Sequence, residues 1–174
     1  MANDNRGSRF GASTANAAEA LPESIGALPR RSLAAGDILV EENSKSGKLY
    51  FLASGAVEVR KNGVQIAEVS EVGAAFGEMS VLLDTPHTAA VLALCDSEVH
   101  VVDAPESFLR EHPEVTLYVA KLLARRLNAL NRYLVDVKRQ FGEQSDHLAM
   151  VDEVLDALMN KHPRTIERRP APGP

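Results

Sequence analysis

Between Ser32 and Val102 the chain is a succession of short runs, DILVEE, KLYFLAS, AVEVRK, VQIAEV, TAAVLAL and SEVHVVD, each cut off by a glycine or a polar turn. Within the runs apolar and polar residues alternate or β-branched residues cluster. A period of two puts the apolar residues on one side of an extended strand, and none of the runs is long enough for three helical turns. Many short strands in succession predict a sandwich or a barrel. Lys61-Asn62-Gly63 between AVEVR and VQIAEV predicts a tight hairpin, because Asn-Gly adopts the positive φ angles of a type I′ turn at low cost. Gly36, Gly47, Gly55 and Gly73 punctuate the other corners, and each is read as a turn residue before it is read as a ligand contact.

The flanks differ in character. Residues 1–19 are rich in Ala, Asn, Ser and Gly without a period, the composition of a segment that cannot offset its ordering entropy, and a disordered tail is expected there. Residues 20–30, ALPESIGALPR, allow a helix of a turn or two, confined by Pro22, Gly26 and Pro29. After Val102 the period becomes helical. A short helix is predicted at Pro105 to Glu111 and a long one from about Pro113 to Phe141, with Pro113 suited to the first helical turn. Leu117, Ala120, Leu123, Leu127, Leu130, Leu134 and Val137 recur at steps of three and four, a stripe that can pack on the strands, on a twin helix, or on both. Gly142 ends this helix, and a last amphipathic helix is expected from about Ser145 to Asn160.

Composition narrows the function classes. The chain has 174 residues, 45% of them hydrophobic and 25% charged, enough for one domain to bury a core. A net charge of −5 gives no general attraction to polyanions. Cys95 is the single cysteine, so an intramolecular disulfide and a cysteine-rich metal site are excluded, and a reducing, cytoplasmic setting is expected. No stretch approaches eighteen consecutive apolar residues, and MANDNRGSRF lacks a signal-peptide layout, so neither secretion nor membrane spanning is expected.

The segment with the most chemistry is FGEMSVLLDTPHTAAV, residues 76–91. Between two strands it predicts a short helix opened by Gly77. A glycine there lets backbone approach an anion, and the unpaired N–H groups of the first turn favour negative charge. Glu78 repels a phosphate but accepts a hydrogen bond from a sugar hydroxyl. Adjacent residues would then hold one phosphate and one ribose.

With these residues the chain resembles the cyclic-nucleotide-binding domain family, the β-roll of the catabolite activator protein, of protein kinase A regulatory subunits and of cyclic-nucleotide-gated channels. The resemblance covers roughly Leu33 to Leu134 and is carried by AAGDILVEEN, YFLASGAVEV, FGEMS and PHTAAV. It implies a mainly β fold with α elements: a double-stranded, jelly-roll-like β-roll followed by a long helix and a short terminal helix. The organisation expected is a tail over 1–19, the roll with its helices over 20–141, and a helical extension over 142–174. By the same match Gly77 and Ser80 lie beside the bound phosphate, Glu78 takes the ribose 2′-hydroxyl, and Thr88 bonds the phosphate. Phe76, Met79 and Ala89 complete that end of the site. The ligand implied is a cyclic mononucleotide, cAMP or cGMP, with no further cofactor.

His87 departs from the pattern, standing where the family has the arginine that pairs with the cyclic phosphate. Arginine is always charged and forks onto two oxygens, whereas histidine offers one N–H and is largely neutral near pH 7 unless the site favours its charged form. Losing one partner of a buried charge pair costs about 2–5 kcal/mol, on the order of thirty- to several-thousand-fold in affinity. Two readings stay open: a weak, pH-dependent site, or a degenerate pocket with a bystander histidine. The base end should meet the long helix after ARRL (124–127), where Asn131 can both donate and accept as a purine edge requires. Alternatively Asn131 sits on a solvated or dimer-facing surface. His100, His112, His147 and His162 show no metal-ligand spacing, and no metal is assigned.

Other modules find no sequence support. A winged helix-turn-helix needs a basic reading helix, and the segment from Ser145 to Asn160 carries Asp146, Asp152, Glu153 and Asp156, so no DNA partner is expected. No G-x-S-x-G, H-E-x-x-H or P-loop is present, and no catalytic residue is assigned. What remains is a sensor acting through an unidentified protein partner, with homodimerisation through the long helix, or a ligand-independent scaffold that kept the roll.

Overall fold

The computed structural model describes residues 20–140, and within them the alternating runs become two four-stranded antiparallel sheets. In chain order the elements are α1 (Glu23–Gly26), β1 (Arg30–Leu33), β2 (Ile38–Val40), β3 (Leu49–Ser54), β4 (Val57–Lys61), β5 (Val64–Val69), β6 (Ala75–Phe76), α2 (Glu78–Leu83), β7 (Ala90–Ala93), β8 (Ser97–Val102), α3 (Pro105–Glu111) and α4 (Pro113–Gln140). One sheet has the order β1-β8-β3-β6 and the other β2-β7-β4-β5, so the chain crosses repeatedly between sheets, as in a jelly-roll-like β-roll. The mainly β fold with a long following helix is therefore as expected. The expected tail over 1–19 and the terminal helix of 145–160 lie outside the described residues.

Alternation explains the layers. Leu52 and Tyr50 on β3, Val57 on β4, Val91 and Ala93 on β7, and Val99 on β8 turn inward and form one buried cluster with Leu33, Leu39, Val40, Ala74 and Phe76. The intervening β3 residues, Leu49 and Phe51, are also fully buried, on the opposite face, where they stand across from Val102 and His100 of β8. Ile25 on α1 and Val115 at the start of α4 are fully buried as well, and a hydrogen bond from Ser24 to Glu114 joins these two elements. A strand buried on both faces reads as a continuous apolar run, which is why LYFLA is one.

Two strands carry no sequence signal. In β1 only Leu33 of RRSL is buried, and β6 is two residues long. The Asn-Gly hairpin forms as expected, with φ of +51° at Asn62 and +77° at Gly63.

The described residues divide into two compact units, the break falling between Thr116 and Leu117 inside α4. In the second unit Tyr118, Val119 and Leu122 are buried while Leu117, Leu127, Leu130, Tyr133 and Val135 are exposed. The buried face of α4 is thus not the stripe with the clearest periodicity. Among the described residues no helix is long and apolar enough to cross a membrane.

Candidate functional site

Gly77 starts the site. Its φ of +84° is left-handed, a conformation glycine adopts without penalty, and it turns the chain from β6 into α2. A Cβ here would lie 2.6 Å from the Lys48 carbonyl oxygen and 3.5 Å from Cε1 of His87. The missing side chain therefore lets three segments meet: the β6–α2 turn, the β2–β3 loop and the α2–β7 loop. Glu78, the next residue, is 5% exposed in the first turn of α2, where a carboxylate is favoured by the helix dipole.

The other residues singled out by sequence divide. Ser80 is buried, but its hydroxyl donates to the Thr85 carbonyl at 2.5 Å, so the N–H of its backbone is what it has to offer a ligand. Phe76 belongs to the apolar core. Met79 and Thr88 are exposed, and Ala89 is half-buried. Asn131 lies on the part of α4 in the second unit, half-buried, with a buried Oδ1 that has no hydrogen-bond partner among the described residues.

His87 is 5% exposed and strapped to the β2–β3 loop. Its N–H donates to the Ser44 carbonyl and its carbonyl accepts from Asn43 N–H, both at 2.8 Å. The ring is held as well: the Ser46 N–H donates to Nε2 at 3.3 Å, and the Ser46 hydroxyl lies 2.9 Å from the same nitrogen. Burial pushes the imidazole below its ordinary pKa, because removing water penalises the charged form. The loop is fastened a second time by the ion pair of Lys45 with Asp84 at 2.5 Å, whose hydrogen bond and charge hold the Asp84 carboxyl below its usual range. Lys48 is paired with Asp103 at 2.6 Å.

Sequence reasoning missed Ser46. SKSGK carries no mark of a ligand site, and only the fold brings it against a residue 41 positions away. A cleft of about 270 Å³ next to α2 is lined by Lys45, Ser80, Asp84 and Pro105 among others, and of the residues predicted from sequence it includes only Ser80. The Gly77–His87 juncture, with Glu78 buried beside it in sequence, is where residues singled out by sequence come together. No cluster of His, Cys, Asp or Glu fit to hold a metal occurs among the described residues.

Residues 30–110 match the model of the family described as cyclic nucleotide-binding domain. The CRP-like cAMP-activated global transcriptional regulator of Mycobacterium tuberculosis is 28% identical over 131 residues, covering 67% of this chain and 56% of that protein. Lysophospholipase NTE1 of Chaetomium globosum is 30% identical over 143 residues, covering 78% of this chain but 9% of the enzyme. The chain thus spans from a tenth to somewhat over half of these relatives, and the part shared with the lysophospholipase is a small fraction of that enzyme. Among solved structures, the Thermus thermophilus catabolite activator protein superposes with a TM-score of 0.57 at 27% identity, covering 67% of this chain and 57% of that one. The fold, the turn at Gly77 and these matches together make residues 30–110 a member of the cyclic-nucleotide-binding domain family, of the type seen in catabolite activator proteins.

Proposed function

We propose that the chain is a regulatory sensor in which residues 20–141 work as one module that binds cAMP or cGMP weakly and reports occupancy to a protein partner. The observation that carries this reading is the juncture of Gly77, Glu78 and His87 at the start of α2. Backbone N–H groups of the first turn, with Thr88 beside them, receive the cyclic phosphate, and Glu78 accepts the ribose 2′-hydroxyl. The setting proposed is the cytoplasm.

Isothermal titration with cAMP and cGMP to millimolar concentration tests the reading. Saturable heat with at least one of them is expected. Absence of heat with both, together with no thermal shift, would overturn it, since a bound ligand stabilises as the logarithm of its concentration over Kd.

Homodimerisation through α4 is part of the same proposal, and the exposure of Leu127 and Leu130, each 44%, favours it: apolar residues at helical spacing suit a facing helix. Light scattering after size exclusion should give the mass of two chains, and L127E together with L130E should give one. A monomeric parent protein at high concentration would sink the dimer.

A further inference from the structure

The hydrogen bonds at Nε2 of His87 have a definite direction. A backbone N–H has only a proton to offer, so the Ser46 N–H makes Nε2 an acceptor. The Ser46 hydroxyl accepts from the Lys48 N–H at 3.3 Å, and with Nε2 already an acceptor the proton between the hydroxyl and Nε2, 2.9 Å apart, is the hydroxyl's own. Two donors on one ring nitrogen place the proton of the neutral imidazole on the other, Nδ1. Nδ1 has no hydrogen-bond partner among the described residues, and it is not one of the side-chain atoms buried without a partner, so it keeps access to solvent and its proton can meet a ligand.

We propose that Ser46 is a positioning residue for the phosphate end of the ligand site: it fixes His87 as the neutral Nδ1–H tautomer, so that Nδ1–H donates to an oxygen of an anionic ligand without the ring taking up a proton. The inference rests on the cyclic-nucleotide reading for the identity of the ligand, while the tautomer is a property of the free protein. Protonation would turn Nε2 into a donor facing the Ser46 N–H, and the burial of the ring opposes it further. The charged groups on the segments packed around the ring do not reverse this. Lys45 and Asp84 are paired with each other and Lys48 with Asp103. Glu78, buried in the first turn of α2, is the carboxylate on the side of Gly77. His87 thus replaces a charged fork with one neutral donor, and the Ser46 loop selects which nitrogen supplies it.

The test uses the full chain, its histidines labelled with ¹⁵N, and long-range ¹H–¹⁵N correlation spectra, with His87 assigned by its loss in H87Q. Between pH 7 and 8.5 the free protein should show His87 with a pyrrole-type Nδ1 and a pyridine-type Nε2. S46A, in an exposed loop, removes the hydroxyl donor and keeps the backbone N–H, so it should raise the fraction of the Nε2–H tautomer part of the way and raise the titration midpoint, and S46T, which keeps the hydroxyl, should restore both. In titrations with cAMP and cGMP, S46A should weaken the ligand that binds by roughly three- to tenfold, the equivalent of one lost hydrogen bond. Affinity for the parent protein should change by less than about threefold over the same pH range, whereas an imidazolium anchor would give up to tenfold per unit. A parent His87 in the Nε2–H form, S46A spectra identical to the parent's, or affinity rising tenfold per unit of falling pH would each overturn the assignment. Absence of any binding by the parent protein would instead defeat the cyclic-nucleotide reading and leave the tautomer to be decided by the spectra.

Discussion

H87R should tighten binding of the cyclic nucleotide by about thirty- to several-thousand-fold, the span that corresponds to about 2–5 kcal/mol for restoring one partner of a buried charge pair. The position is suited to the exchange. His87 lies against Gly77, with Cε1 3.5 Å from the point a Gly77 Cβ would occupy, so a longer side chain starting from the same backbone is delivered to the mouth of the first turn of α2. The backbone of His87 is held by two hydrogen bonds that do not involve the side chain, to Ser44 and Asn43, and these survive the substitution. A guanidinium cannot accept from the Ser46 N–H and hydroxyl, but Ser46 is exposed and water can receive them. The loss is therefore small beside the gain of a bidentate, always-charged partner. Titration calorimetry of the parent protein and H87R with cAMP and cGMP measures the difference. Equal affinities, with H87R folded to the same circular dichroism, would mean that the anion does not reach this position.

The strand pattern and the hairpin at Asn62-Gly63 were legible because they depend on neighbours in the chain: a period of two and a dipeptide with positive φ. The start of α2 was legible for the same reason, since glycine followed by a first-turn carboxylate is a local arrangement. β1 was not, because three of its four residues are exposed and its partner β8 begins 64 residues after β1 ends, at Ser97 opposite Leu33. The loop that holds His87 escaped for a related reason. Ser46 is chemically ordinary, and its role arises from a contact across 41 residues between two loops. Likewise the heptad-like stripe of α4 told which residues are apolar without telling which face is covered, and the covered one carries Val115, Val119 and Leu122. Local rules give elements and termini, whereas partners of ordinary polar residues come only from the assembled roll.

G55A should destabilise the fold by about 2–5 kcal/mol, made up of about 1–2 kcal/mol for a side chain in the left-handed region and about 1–3 kcal/mol for overpacking. Gly55 joins β3 to β4 with φ of +88°, and a Cβ there would stand 2.6 Å from Cβ and 2.7 Å from Cα of Ser97. Ser97 has no room to yield. It is 3% exposed, it opens β8 opposite Leu33, and its hydroxyl accepts from the Ala56 N–H at 3.2 Å and donates to the Cys95 carbonyl at 2.8 Å. Moving it would shift β8, the strand that pairs with both β1 and β3, so the clash is carried into the centre of the sheet. Gly36 separates the two contributions, because its φ of +89° is equally left-handed while a Cβ there meets nothing within 4 Å. G36A should therefore cost only the conformational part. Thermal unfolding followed by circular dichroism should show G55A melting at least about 4 °C below the parent protein, and G36A falling by clearly less, since each kcal/mol moves Tm by roughly 2–4 °C in a chain of this length. Equal losses in the two variants would show that the left-handed conformation alone, and not the approach of β8, demands glycine at this corner.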